Sequence, residues 1–144
     1  VYFIMIFDTS YYDKILRKEI NDLVDSPYSL MDRFKLKGIG SSRFILSAAS
    51  ENILKKLPTD ESTVKVSIEL RPKGIILHFK RFTEHFSWVI PYYKLTIYSS
   101  KELSIYENET FMRFSKESLK KNHLEFIKKV IALKAKHHED VSFQ

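Results

Sequence analysis

The sequence predicts an α+β fold: N-terminal helices, an antiparallel meander sheet or partly open barrel, and a C-terminal amphipathic helix that closes it. Three observations carry this. Residues 64–70 put Val64, Val66, Ile68 and Leu70 in alternation with Lys65, Ser67 and Glu69, the period of a half-buried strand. Residues 8–57 are dense in cap residues and in apolar residues at helical spacing. Residues 115–140 carry Leu119, Phe126, Ile127, Val130 and Leu133 on one helical stripe.

A chain of 144 residues is one domain, 1–144, and can bury a core without staples. Residues 10–58 read as mainly helical and 64–136 as sheet plus closing helix. The opening "VYFIMIF" is too short for a membrane span of about 20 residues and lacks the parts of a signal peptide. Residues 1–9 are thus either an extra strand or a non-native leader, since Met5 could be the natural start. The absence of cysteine excludes disulfides, thiolate metal sites and a Cys nucleophile. It also fits a reducing cytoplasm, the expected location. No transmembrane segment and no cofactor is expected.

Asp8, Thr9 and Ser10 are good N-caps, and Tyr12, Leu16, Ile20 and Leu23 recur at helical spacing, which predicts a helix over 10–25. Ser26 and Pro27 open a second helix with the stripe Leu30, Met31 and Phe34, and Gly38 falls where a helix ends. Residues 43–49, "RFILSAA", fit strand or helix equally. Residues 50–57 predict a helix stopped by Pro58.

Pro72 and Gly74 suit positions i+1 and i+3 of a turn after strand 64–70. The return strand then pairs Leu70 with Ile75, Ile68 with Leu77 and Val66 with Phe79, all facing inward. A slip of one residue would bury His78 and Lys80 instead. This register sets Lys65 across from Lys80 and Ser67 across from His78 on the outer face. Facing lysines repel mildly. Solvent, an internal carboxylate or a bound anion must answer them.

Thr83, Glu84 and His85 predict the next turn. In "FSWVIPYYKL" Phe86, Trp88 and Ile90 share one face, and Pro91 belongs at an edge or bulge, beyond which the faces switch. That reading makes the stretch a core strand rather than an exposed patch. Leu95–Tyr98, Leu103–Tyr106 and Thr110–Phe114 are three further short strands. Ser115 is the expected cap of the final helix.

The first 63 residues hold nine basic and nine acidic side chains, so the whole excess of +6 lies beyond them. Seven lysines (116, 120, 121, 128, 129, 134 and 136) ride on the last helix against Glu117 and Glu125. Such asymmetry points to an anionic partner.

Catalytic motifs are absent: no H-E-x-x-H, G-x-S-x-G or G-x-G-x-x-G occurs. Gly38 to Ser42 lacks the spacing and lysine of a phosphate loop. His123-Leu124-Glu125 has the H-x-E of deaminases without their cysteines. His137, His138, Glu139 and Asp140 are adjacent on a helix end, where neighbouring side chains point apart.

From residue 64 to 136 the order is a hairpin, the aromatic strand "FSWVIPYYKL", three short strands and an amphipathic helix. This resembles the latter part of bacterial pleckstrin-homology-like (PH-like) domains. The resemblance covers about half the chain and implies a binding or scaffolding module without catalysis. It carries no ligand residue over. The expected function is therefore recognition of a protein partner or an anionic membrane surface through Lys65, His78, Lys80, Arg81 and His85. One alternative is nucleic-acid binding by the Lys-rich helix. Another is a small-molecule-binding or enzymatic domain with an aromatic-lined pocket.

Overall fold

The computed structural model describes residues 4–57, 63–99 and 101–142. Its described residues form one eight-stranded antiparallel sheet and four α-helices. The strands are β1 (Ile6–Asp8), β2 (Phe44–Ala49), β3 (Lys65–Arg71), β4 (Gly74–Arg81), β5 (Glu84–Pro91), β6 (Thr96–Tyr98), β7 (Leu103–Glu107) and β8 (Thr110–Phe114). Their order across the sheet is β1-β5-β4-β3-β2-β8-β7-β6. The helices are α1 (Lys14–Val24), α2 (Leu30–Lys35), α3 (Glu51–Leu54) and α4 (Lys121–Ser142).

The β3–β4 hairpin has the register the alternation predicts, with Ser67 opposite His78, Ile68 opposite Leu77 and Leu70 opposite Ile75. Val66, Ile68, Leu70, Ile75, Leu77 and Phe79 are all buried in the main core. Gly74 closes the turn because nothing larger fits. A Cβ there would collide with the Ile90 carbonyl oxygen and lie 2.5 Å from Val24 Cγ1.

The aromatic stretch is core. Trp88 is fully buried and donates its Nε1 hydrogen to Glu107 Oε1 at 2.8 Å. Beyond Pro91 a 3₁₀ turn, Tyr92–Lys94, switches the faces. Tyr92 and Leu95 then point inward, Tyr93 points to solvent, and the Tyr92 hydroxyl donates to the Arg71 carbonyl at 3.1 Å. Phe126, Ile127 and Val130 of α4 are buried in the same core. Each contributes about 1.5–3 kcal/mol relative to an exposed position.

Several boundaries differ from the sequence reading. Residues 43–49 resolve to strand β2, held between β3 and β8. The 50–57 helix shortens to Glu51–Leu54. The cap of α1 is Asp13, whose carboxylate accepts from the Ile15 and Leu16 amides, because Asp8 is occupied by Ser10. Ser29, not Ser26, caps α2. Ser115 caps a 3₁₀ turn, Lys116–Ser118, and α4 begins later. The β4–β5 turn is only Phe82-Thr83, with Glu84 and His85 already in β5. Residues 1–3 lie outside the described residues, but Ile6–Asp8 do form a strand against β5.

Two larger corrections concern exposure. Leu30, Met31 and Phe34, expected as a buried stripe, are 83%, 72% and 88% exposed. The outer face of the hairpin is also not uniformly wet. Ile20 and Val24 of α1 pack there on Ile76 and Val89, forming a second small core.

Candidate functional site

The uncovered part of that outer face lies at the Lys65 end of β3. Here Lys65, His78, Lys80 and His85 line one concavity of about 420 Å³ together with Arg43, Thr63, Val64, Ser67 and Phe79. Four of the five candidate residues are thus brought together. The fifth, Arg81, stands outside and reaches the Lys55 carbonyl oxygen at 3.5 Å. The β3–β4 ladder runs only from Ser67/His78 to Arg71/Gly74, so Lys65 and Lys80 flank the concavity beyond the last ladder pair.

Arg43 is the cation that sequence reading missed. It stands 22 positions from Lys65, and only the pairing of Phe44 with Val66 brings it alongside. Among the described residues, Arg43, Lys65 and Lys80 make no ion pair, and no carboxylate lines the concavity. Desolvation is modest, since all three are exposed.

His78 plays a different part. Its Nε2 lies 2.9 Å from Glu69 Oε1 and its Nδ1 lies 3.0 Å from Ser87 Oγ. A carboxylate only accepts, so Nε2 carries the proton. Glu69 also takes Arg71 Nε at 2.5 Å, and Arg71 Nη1 donates to Asn21 Oδ1 and to the Asp25 carbonyl. At the other end Ser87 Oγ meets Thr9 Oγ1 at 2.8 Å. One polar chain therefore runs from Thr9, just past the end of β1, through β5, β4 and β3 to α1. Burial alone would raise the Glu69 carboxyl, but the hydrogen bonds from His78 and Arg71 together outweigh it and hold it down at about 2.

A serine, a histidine and a glutamate in line invite a nucleophilic reading. Ser87 does not support it. It is 1% exposed and lies mid-strand, with β4 on one side and β1 on the other. Its backbone has no freedom to form an oxyanion site.

A second concavity of about 360 Å³ lies between the start of α1 and the same face. It shares His78 and His85 with the first, so these two side chains form the ridge between them. Its polar wall is the network just described, and the bonds of Arg71, His78 and Ser87 all run within the protein.

The remaining histidine of interest, His123, is structural. It is 5% exposed, its Nδ1 accepts from the Lys120 amide, and its Nε2 donates to the Arg43 carbonyl at 2.9 Å. It anchors the start of α4 to the strand end that carries Arg43. The α4 lysines are partly engaged elsewhere: Lys129 donates to the Gly38 carbonyl, and Lys121 sits 4.0 Å from Glu125. No helix among the described residues is long and apolar enough to cross a membrane.

Comparison of the chain with family models, curated proteins and solved structures found no match.

Proposed function

We propose that this chain is a non-catalytic PH-like binding module that recognises an anionic surface with the concavity of Arg43, Lys65, Lys80 and His85. The observation that carries the reading is this concavity itself: every titratable side chain of its described lining is basic. Exposed cations such as Arg43, Lys65 and Lys80, which make no ion pair among the described residues, raise the local concentration of an anion and lose little on binding one.

The strand order supports the PH-like part. A four-strand meander, β2 to β5, is followed by a three-strand meander, β6 to β8, and then by α4 with three side chains in the core. In this reading α4 closes the end of the sheet, and its lysines are a solvated face. The absence of a free nucleophile around Ser87 favours binding over catalysis, and a cytoplasmic setting accords with a cysteine-free chain.

The test uses inorganic polyphosphate as a probe of anion binding. Wild type binds it with an affinity that falls as salt rises. The variant Lys65→Glu/Lys80→Glu loses at least about tenfold, because two attractive charges become repulsive. Lys121→Glu/Lys128→Glu on α4 leaves binding nearly unchanged. The reverse ranking would replace this proposal with a role for the Lys-rich helix.

A further inference from the structure

Arg71 is held at two of its three guanidinium nitrogens and open at the third. The group carries five N–H donors. Nε donates to Glu69, and Nη1 donates to Asn21 Oδ1 and to the Asp25 carbonyl. The two N–H groups of Nη2 have no partner among the described residues, although only 10% of the side chain is exposed. Nη2 is nonetheless within reach of solvent. A buried donor without an acceptor costs stability, so a donor placed this way faces space that an acceptor can fill. Arg71 lines the concavity of about 360 Å³ between the start of α1 and the sheet. Asn21 lines it as well. Its Oδ1 accepts from Arg71, so Nδ2 is its remaining group, and that donor also has no partner among the described residues.

The rest of the lining is apolar or balanced in charge. Leu16, Ile20 and Ile76 give a hydrocarbon floor. The rings of Tyr11 and Tyr12 are exposed at the mouth, with the Arg17 guanidinium 5.2 Å from the centre of the Tyr12 ring. Against the cations Arg17 and Arg71 stands the lining carboxylate of Asp13, and behind the wall Glu69 is bonded to Arg71 and Asp8 to Ser10. A carboxylate or phosphate entering here would meet these three carboxylates, so two guanidiniums give it no advantage. An uncharged oxygen meets no such repulsion and still accepts from Nη2 and Nδ2. The volume suits a small molecule, since such sites run from about 300 to 1,000 Å³.

We infer that this second concavity is a site for a small uncharged molecule with a flat ring and a carbonyl oxygen, an amide or lactam. The carbonyl accepts from Arg71 and Asn21, and the ring lies on the apolar floor beside Tyr12. The site is separate from the basic concavity and does not depend on the anion-binding reading.

Benzamide is the probe, and benzoate, of the same size and shape, is the control for charge. Each is titrated at pH 8 into the isotopically labelled protein and followed by NMR. Benzamide moves the Leu16 and Ile76 methyl signals and the Asn21 side-chain amide together and to saturation, with a dissociation constant of about 10 mM or tighter for a ligand of roughly nine heavy atoms. Benzoate binds at least about threefold more weakly. Asn21→Asp keeps the oxygen that Arg71 uses and removes the Nδ2 donor. It weakens benzamide by about threefold to tenfold and leaves polyphosphate binding at the wild-type level, since Asn21 does not line the basic concavity. Tyr12→Ala removes an exposed ring, so the fold is retained, and it also weakens benzamide by about threefold or more. No saturable shift at these residues, benzoate binding as tightly as benzamide or tighter, or benzamide affinity unchanged in both variants overturns the inference, whatever the outcome with polyphosphate.

Discussion

Glu69 offers a quantitative handle on the outer face. Its carboxyl is held at about 2 against an ordinary 4.5, because His78 and Arg71 both donate to it and outweigh the opposing effect of burial. A carboxyl depressed on folding stabilises the protein above its unfolded value, and the gain disappears as pH falls through the folded value. The gap corresponds to about 3 kcal/mol. It is present in full above about pH 5 and gone near about pH 2. Glu69→Gln keeps the volume and removes the titration. Urea unfolding of both proteins across this window is the assay. At neutral pH the variant is less stable by about 2–3 kcal/mol, a midpoint shift near 1–2 M for a typical slope. As pH falls the two curves converge. Parallel curves, with a constant gap from pH 7 to pH 2, would mean that the network does not depress the Glu69 carboxyl, and the derivation would fail.

Two further sets of variants test the packing. Gly74→Ala drives a methyl into the Ile90 carbonyl and Val24, and the backbone partner cannot rotate away. It destabilises by about 1–3 kcal/mol or more in thermal or urea unfolding; a neutral result would mean that the hairpin and α1 are not packed as described. Leu30→Ser, Met31→Ser and Phe34→Ser, by contrast, each change stability by less than about 0.5 kcal/mol, since these side chains are exposed. A loss of several kcal/mol from any of them would show that α2 is covered in the folded protein.

How far the sequence carried depends on the periodicity of each segment. The β3–β4 register was legible because one slip would bury His78 and Lys80, and Pro72 with Gly74 marked the turn. The core role of Trp88 followed from its spacing with Phe86 and Ile90. Residues 43–49 were not legible, because a short apolar run suits either element until β3 and β8 claim its backbone. The start of α1 was misplaced since four cap-competent residues stand within six positions, and local bonds between Asp8 and Ser10 decide among them. The α2 stripe misled because spacing shows which residues share a face and not what lies opposite.

The candidate site divides the same way. Lys65, His78 and Lys80 could be grouped from one hairpin's register, with His85 close by in the turn expected to follow it. Arg43 could not, since it arrives through the β2–β3 pairing. Nor could the restraint on His78, whose partners Glu69 and Ser87 come from strands on either side and whose network continues to Thr9 and Asn21. Sequence reading grouped His78 with the binding candidates; in the structure its ring is held by Glu69 on one side and Ser87 on the other.

Amide and side-chain shifts of the isotopically labelled protein, followed by NMR during titration with inorganic pyrophosphate, locate the bound anion without any substitution. Binding at the basic concavity moves Arg43, Lys65, Ser67, Lys80 and His85 together while residues 124–136 stay still. Shifts that gather on α4, or none that saturate, would contradict the account.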